Sequence, residues 1–178
     1  MNARALQTAI KEDLESLFSG VPYKTPPQSA GNRPAFYPDS PETLPDEETP
    51  GSGTIRVFEQ ELPIREPGIT EDPFPYIIVR LDTGGVDSPT DPHKASIILL
   101  IGVYDDDKQN QGHKSVLEIM ETIQTHYEKF PTLCGGNFQF TDPFQWTLQD
   151  EPSWPYFYGA CSLAFNLYAQ RTEGSKYT

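Results

Sequence analysis

The chain predicts an α+β domain: an antiparallel-rich β-sheet with two helices packed on one face, plus a long proline-rich extended arm. Three observations carry this expectation. Phe74-Pro75-Tyr76-Ile77-Ile78-Val79-Arg80-Leu81 and Ile97-Ile98-Leu99-Leu100-Ile101-Gly102-Val103-Tyr104 are apolar runs of strand length. Residues 3–18 and 109–129 instead repeat their apolar residues at helical spacing. Between Val21 and Gly53, eight prolines break up any period.

In the first helix, Leu6, Ile10, Leu14, Leu17 and Phe18 form one stripe, with Lys11, Glu12, Asp13 and Glu15 off it. Gly20 and Pro22 stop it. The stripe must dock on the domain or on a neighbouring subunit. Prolines as dense as those of residues 21–53 are expected to prevent a helix or a ladder. That segment reads as a solvated linker, or as an arm laid across an adjacent subunit with Phe36 and Tyr37 as anchors. Burying one aromatic contributes about 1.5–3 kcal/mol, enough to hold such an arm.

Thr54 to Leu62 is expected as a strand, Ile55 and Val57 on one face, Arg56 and Phe58 on the other. Pro63 ends it or places it at an edge. An acidic turn, Glu66 to Pro75, leads to a strand over Tyr76 to Asp82 with Gly84-Gly85 as its exit. A polar loop, Val86 to Pro92, joins this strand to Ala95–Tyr104, and the two form a wide antiparallel hairpin. The latter strand is apolar on both faces, which predicts a central position covered on both sides. Arg80, the one base in the apolar runs, is expected to pair with a carboxylate or to reach the rim.

Asp105-Asp106-Asp107 then leads into a helix over Gln109 to Lys129, with one aspartate as cap. Val116, Ile119, Met120, Ile123 and Tyr127 make its apolar face, and Pro131 stops it. Gly135-Gly136 is a turn. Phe138 and Phe140 alternate in a short strand, and Phe144, Trp146 and Leu148 in the next, with Asp142-Pro143 as a tight turn between. The last strand runs from Tyr156 to about Gln170. Phe157, Cys161, Leu163, Phe165 and Leu167 point one way, and Tyr158, Ala160, Ser162, Ala164, Asn166 and Tyr168 the other. The organisation is an N-terminal helix (1–20), an arm (21–53), a core domain (54–171) and a frayed tail (172–178).

At 178 residues the chain suits one domain with an extension. Low hydrophobic content (36%) and 18 prolines place part of it outside the core. With 26 acidic against 13 basic residues, the formal net charge is -13. Such a surface repels phosphates, which argues against sequence-specific nucleic-acid binding but suits a channel through which DNA slides. The start of the chain has no apolar signal-peptide core. The run Ile97 to Val103 is far short of the ~20 residues of a membrane helix. A protein made in the cytoplasm, with no membrane partner, is the expectation.

Candidates for chemistry are few. Asp105, Asp106 and Asp107 are adjacent carboxylates of the kind that hold Mg²⁺ or Ca²⁺, but they lack the alternation of a calcium loop and read as solvated charges at a helix start. His93, His113 and His126 are scattered, and His126 reads as a surface residue. Cys134-Gly135-Gly136 is the most nucleophile-like site, although a glycine pair there reads as a hairpin turn. Cys161 reads as a buried small hydrophobe. The sequence names no catalytic, cofactor-binding or metal-binding residue, and a non-enzymatic role is expected. Trp146, Trp154, Tyr156, Phe157 and Tyr158 are the densest aromatic group. They belong either to the core and its rim or to a binding surface, where Trp and Tyr are enriched.

Four segments carry a family likeness: Gln60-Glu61-Leu62-Pro63-Ile64, Phe74 to Leu81, Ile101 to Asp107 with Gln111-Gly112 behind it, and Pro155-Tyr156-Phe157-Tyr158-Gly159. Over Ile55 to Arg171, with the short amino-terminal helix, the chain resembles the tail terminator (tail completion) proteins of long-tailed bacteriophages. The proline-rich stretch is longer than that pattern needs. The resemblance implies the same architecture and a structural virion protein of the tail and neck, assembled in the host cytoplasm. It implies a homo-oligomeric ring, typically a hexamer, that stops tube polymerisation at the head-proximal end. The partners would be the tail tube protein and the head–tail connector or stopper, with no cofactor. The two patches of such a ring are expected on the helix-bearing side, the Gly84 to Pro92 loop and the proline arm, and candidate interface residues are Phe36, Tyr37, Asp105, Asp106, Asp107, Trp154, Tyr156 and Tyr158. Alternatives are another neck component (a head–tail adaptor or stopper), a small hydrolase centred on Cys134 or Asp105–Asp107, and a monomeric ligand-binding module using Trp154 to Tyr158.

Overall fold

The computed structural model describes residues 2–27, 51–64 and 73–168; Phe36, Tyr37, most of the proline-rich stretch and the tail lie outside the described residues. Helix α1 spans Ala3–Leu17. Asn2 caps it from extended backbone, its side-chain oxygen accepting the Ala5 N–H at 3.0 Å. The stripe of Leu6, Ile10, Leu14 and Phe18 is buried in the same core as the main sheet, so it docks on its own domain.

The main sheet has six strands: β3 (Arg56–Glu59), β4 (Tyr76–Gly85), β5 (His93–Tyr104), β6 (Thr132–Leu133), β7 (Phe138–Leu148) and β8 (Tyr156–Leu167). Their order is β3-β4-β5-β8-β7-β6. β3 runs parallel to β4, and every other pair is antiparallel. β5 is central, as its two-sided apolar pattern predicts. Ile101 stands between Ile77 and Gly159, and Leu99 between Val79 and Cys161. Helix α2 (His113–Lys129) and α1 pack on the face these residues share, with Val116, Ile119, Met120, Ile123 and Tyr127 buried beneath α2. Each such side chain contributes about 1.5–3 kcal/mol by leaving water. Gly159 lets α2 come this close: a Cβ there would collide with Met120 and Val116. The fold is therefore α+β with two helices on one face of a curled, mostly antiparallel sheet.

Several local expectations are corrected. Residues 21–53 do form a ladder at their two ends: β1 (Tyr23–Thr25) pairs antiparallel with β2 (Gly51–Gly53). The prolines flank these three-residue strands and so remove none of their donors. Phe138 to Leu148 is one strand with no hairpin at Asp142-Pro143. That dipeptide sits in a bulge where β7 advances from Thr141 to Gln145 while β8 advances only from Ala164 to Ser162. Helix α2 begins at His113, not Gln109, and no side chain caps it. Gly112 precedes it because a Cβ there would run into the Phe157 ring and the Asp105 Cβ. β5 is covered by helices on one side only; its second-face residues Ile98 and Leu100 are half-buried. Gly84 and Gly85 belong to the end of β4 rather than to its exit.

Candidate functional site

Among the described residues, the second face of the sheet carries no helix. At the end where β5 leaves the sheet, that face holds a cluster of aromatic and aliphatic side chains. Phe74, Tyr76, Ile78 and Tyr104 are buried there, with Phe58, Leu62, Leu100, Tyr156 and Tyr158 packed against them. Alternation explains the membership: the even-numbered residues of β4 and β5 point away from the helices, as do Tyr156 and Tyr158 of β8. The register lines up Tyr76, Gly102 and Tyr158 across three strands. Gly102 is needed because a Cβ there would meet the Tyr76 ring. Phe74 is the hub, its ring centroid 5.1 Å from Tyr76, 4.7 Å from Tyr156 and 5.9 Å from Tyr158. Tyr104 lies 5.6 Å from Tyr156. These separations suit tilted and edge-on ring packing, worth about 0.5–1.5 kcal/mol per pair beyond burial. Burial pushes the Tyr76 phenol up to about 12, with Tyr158 adding to it, so this hydroxyl stays protonated at neutral pH.

The acidic loop borders this cluster. The Asp105 N–H donates to the Pro155 carbonyl at 2.9 Å, and the Trp154 indole N–H donates to the Asp107 carbonyl at 3.1 Å. These bonds tie the loop after β5 to the loop before β8. Trp154 remains 51% exposed, so its ring is a surface feature. Asp105 Oδ1 and Asp106 Oδ1 receive the Lys24 ammonium at 2.7 and 3.2 Å, which fastens the β1–β2 pair to the same end of the sheet. Hydrogen bonds to both carboxylates raise the Lys24 pKa. Asp105 also accepts the Asp107 N–H and Asp107 the Gln109 N–H, so the carboxylates shape the loop rather than cap α2.

Asp105, Asp106, Asp107, Trp154, Tyr156 and Tyr158 thus come together at one end of the sheet, while Phe36 and Tyr37 lie outside the described residues. The sequence reading missed Phe74, Tyr76, Tyr104 and Lys24 as members of this site. The first three were legible as second-face positions of apolar runs; Lys24 reaches Asp105 across 81 residues of chain and left no local signal. The aromatic group expected around Trp154 is divided. Phe157 faces the helices beside Gly112, and Trp146 stands 55% exposed on β7.

No family model matches the chain, and no curated protein is significantly similar to it.

The remaining candidates are placed as follows. Among the described residues, no group of three or more His, Cys, Asp or Glu could hold a metal ion. Cys134 is exposed in a 3-10 turn (Cys134–Gly136), and Cys161 is buried, its thiol pushed up to about 12 by desolvation. Both are free. His126, expected at the surface, is partly exposed, and its Nε2 lies 2.8 Å from Asp13 Oδ2. Arg80 is exposed on the helix-free face. At the opposite end of the sheet, Val86, Thr90, Asp91, His93, Leu167 and Tyr168 help line an open hollow of about 480 Å³. No described helix is long and apolar enough to cross a membrane.

What this arrangement can do is present a partly apolar, aromatic surface beside an acidic loop. An exposed Trp, half-buried Tyr residues and a supporting aromatic layer make the composition of a protein-binding hot spot.

Proposed function

We propose that this chain is a structural virion protein, a tail terminator that forms a ring at the head-proximal end of a phage tail tube. The ring stops tube polymerisation and joins the tail to the head connector. The observation that carries the proposal is the aromatic cluster around Phe74 on the sheet face that no described helix covers, bordered by Trp154 and Asp105–Asp107. Its supporting layer is built into the sheet, while Trp154, Tyr156 and Tyr158 stay accessible to a partner.

The segments that resemble the tail terminator family build this site: Phe74 to Leu81 and Ile101 to Asp107 supply its floor, and Pro155 to Gly159 its wall. The net charge of -13 agrees with a ring lumen that lets DNA pass without gripping it. A ring whose copies all face one way gives each copy two different patches, so one face can match the last tube ring while the other does not propagate it.

Electron microscopy of tail tubes incubated with the purified full chain tests the proposal. The expected result is a ring at one end of each tube and arrested elongation. Binding to the connector without binding to tubes would reassign the chain to an adaptor or stopper. Binding to neither would remove the neck reading.

A further inference from the structure

We infer that copies of this chain join edge to edge, the outer side of β7 around Trp146 in one copy pairing antiparallel with the outer side of β3 around Val57 in the next. The inference rests on the ring reading above and specifies the contact that closes it. Among the described residues, two rims of the sheet lack a full partner strand. Among the described residues no strand pairs with the outer side of β3, where only the Glu59 carbonyl is taken, by the Glu61 N–H, and residues 131–133 cover β7 only from Phe138 to Phe140.

Hydrogen bonding shows which backbone groups point outward. On β7, the Gln149 N–H donates to the Tyr158 carbonyl of β8, so Gln145 and Thr147 also face β8 and Trp146 and Leu148 face out. On β3, the Arg56 N–H donates to Pro75 and the Gln60 N–H to Val79, so the even residues face β4 and Val57 faces out. Unpaired edges of this kind are templates for another strand.

Three features make the two rims fit each other. The first is direction. Through one parallel and three antiparallel pairings, β3 and β7 run oppositely, so copies in the same orientation bring β7 and the next β3 together antiparallel. The second is facing. Residues opposite one another in a ladder share a side of the sheet. Val57 lies on the helix side, in the main core, and Trp146 lies on the helix side as the partner of Cys161. Pairing them keeps every copy's helices on the same side of a continuous sheet, as rotation about a ring axis requires. The third is charge. From Phe144 to Leu148 the β7 rim holds no charged residue, and the β3 rim carries one of each sign, Arg56 and Glu59, although each chain carries -13. Two such molecules approach most easily where one strip is uncharged and the other has no net charge. The contact is heterologous, one rim on a different rim, so closing the ring removes every copy's edges at once.

Residue-resolved hydrogen exchange on the full chain, with native mass spectrometry at the same concentrations, tests this. In dilute monomer the Trp146 and Leu148 amides should exchange fast and the Gln145 and Thr147 amides slowly. On assembly the first two should slow by about tenfold or more. Trp146→Pro, which deletes one outward N–H and is tolerated at an edge, should abolish assembly, while Trp146→Thr keeps that N–H and should assemble. Rings in which the Trp146 and Leu148 amides stay fast would overturn the edge contact and leave the ring reading intact. Equal assembly by both variants would do the same. Protection of those amides in open filaments would keep the edge contact and overturn the ring. A wild-type chain that stays monomeric at every concentration, both alone and with tail tubes present, overturns both.

Discussion

His126 Nε2 lies 2.8 Å from Asp13 Oδ2, a bond between two residues 113 positions apart that joins the last turn of α2 to α1. Both side chains are largely withdrawn from water, 18% and 23% exposed. A carboxylate-to-imidazole bond in such a setting is worth about 1–2 kcal/mol. Asp13→Ala and His126→Ala should each lower unfolding stability by about that much. The double mutant should cost clearly less than the two added together. Strict additivity in denaturant titration would show that the two helices are not coupled here.

Tyr127 lies beside this bond, and its buried hydroxyl makes no hydrogen bond of good geometry among the described residues, although the Asp13 carboxylate is near enough to act on it. Burial, together with the nearby Asp13 carboxylate, pushes its phenol well above the ordinary range. Tyr127→Phe keeps the ring contacts with Phe140 and Phe165 and removes the poorly satisfied hydroxyl. It should leave thermal stability unchanged or raise it by up to about 1–2 kcal/mol. A loss of that size would mean the hydroxyl is satisfied in solution.

Alkaline pH should destabilise the fold. Tyr76 and Cys161 are held up to about 12, from ordinary values of 10.0 and 9.0, and Tyr127 is raised as well. Above pH 9 the unfolded chain therefore binds fewer protons than the native one, and stability falls as pH rises. Stability from these groups is fully present below pH 9 and declines progressively toward pH 12. Midpoints of denaturant unfolding from pH 7 to 11 should be flat at first and then drop. A midpoint that holds level through pH 11 would contradict the burial of these groups.

Gly159 sits where α2 crosses the sheet, and a Cβ there would strike Met120 and Val116 and come within 3.1 Å of the Thr147 carbonyl oxygen. Gly159→Ala should cost about 1–3 kcal/mol through overpacking. The same change at Gly85, where a Cβ meets nothing within 4 Å, should be nearly silent. Calorimetry of the two variants makes the comparison, and equal melting temperatures would refute the close approach of α2.

Most of the sheet was legible because Ile77, Val79, Leu99 and Ile101 combine strand length with burial on the helix side, and α1 because its stripe has one period. The errors share a cause: a local signal outvoted by a distant contact. Asp142-Pro143 has the chemistry of a hairpin turn, yet β8 pairs with residues on both sides of it, so the dipeptide is absorbed as a bulge. Asp105–Asp107 looks like a helix cap, yet Lys24 and the loop's own amides take the carboxylates. Tyr23–Thr25 finds its partner at Gly51–Gly53, a pairing no local pattern encodes. Nothing near His126 in the chain announces its bond to Asp13, 113 positions away. Of the candidate site, the tyrosines and tryptophan were visible as a dense aromatic group. Their shared platform with Phe74 required the strand register.

The mass of the purified full chain in solution, measured across concentration and again with tail tubes present, bears most directly on whether these residues serve association between copies. The account predicts one closed species of about six chains of 20.0 kDa, formed alone or on the tube end. A particle that stays at the mass of one chain in both settings would contradict it.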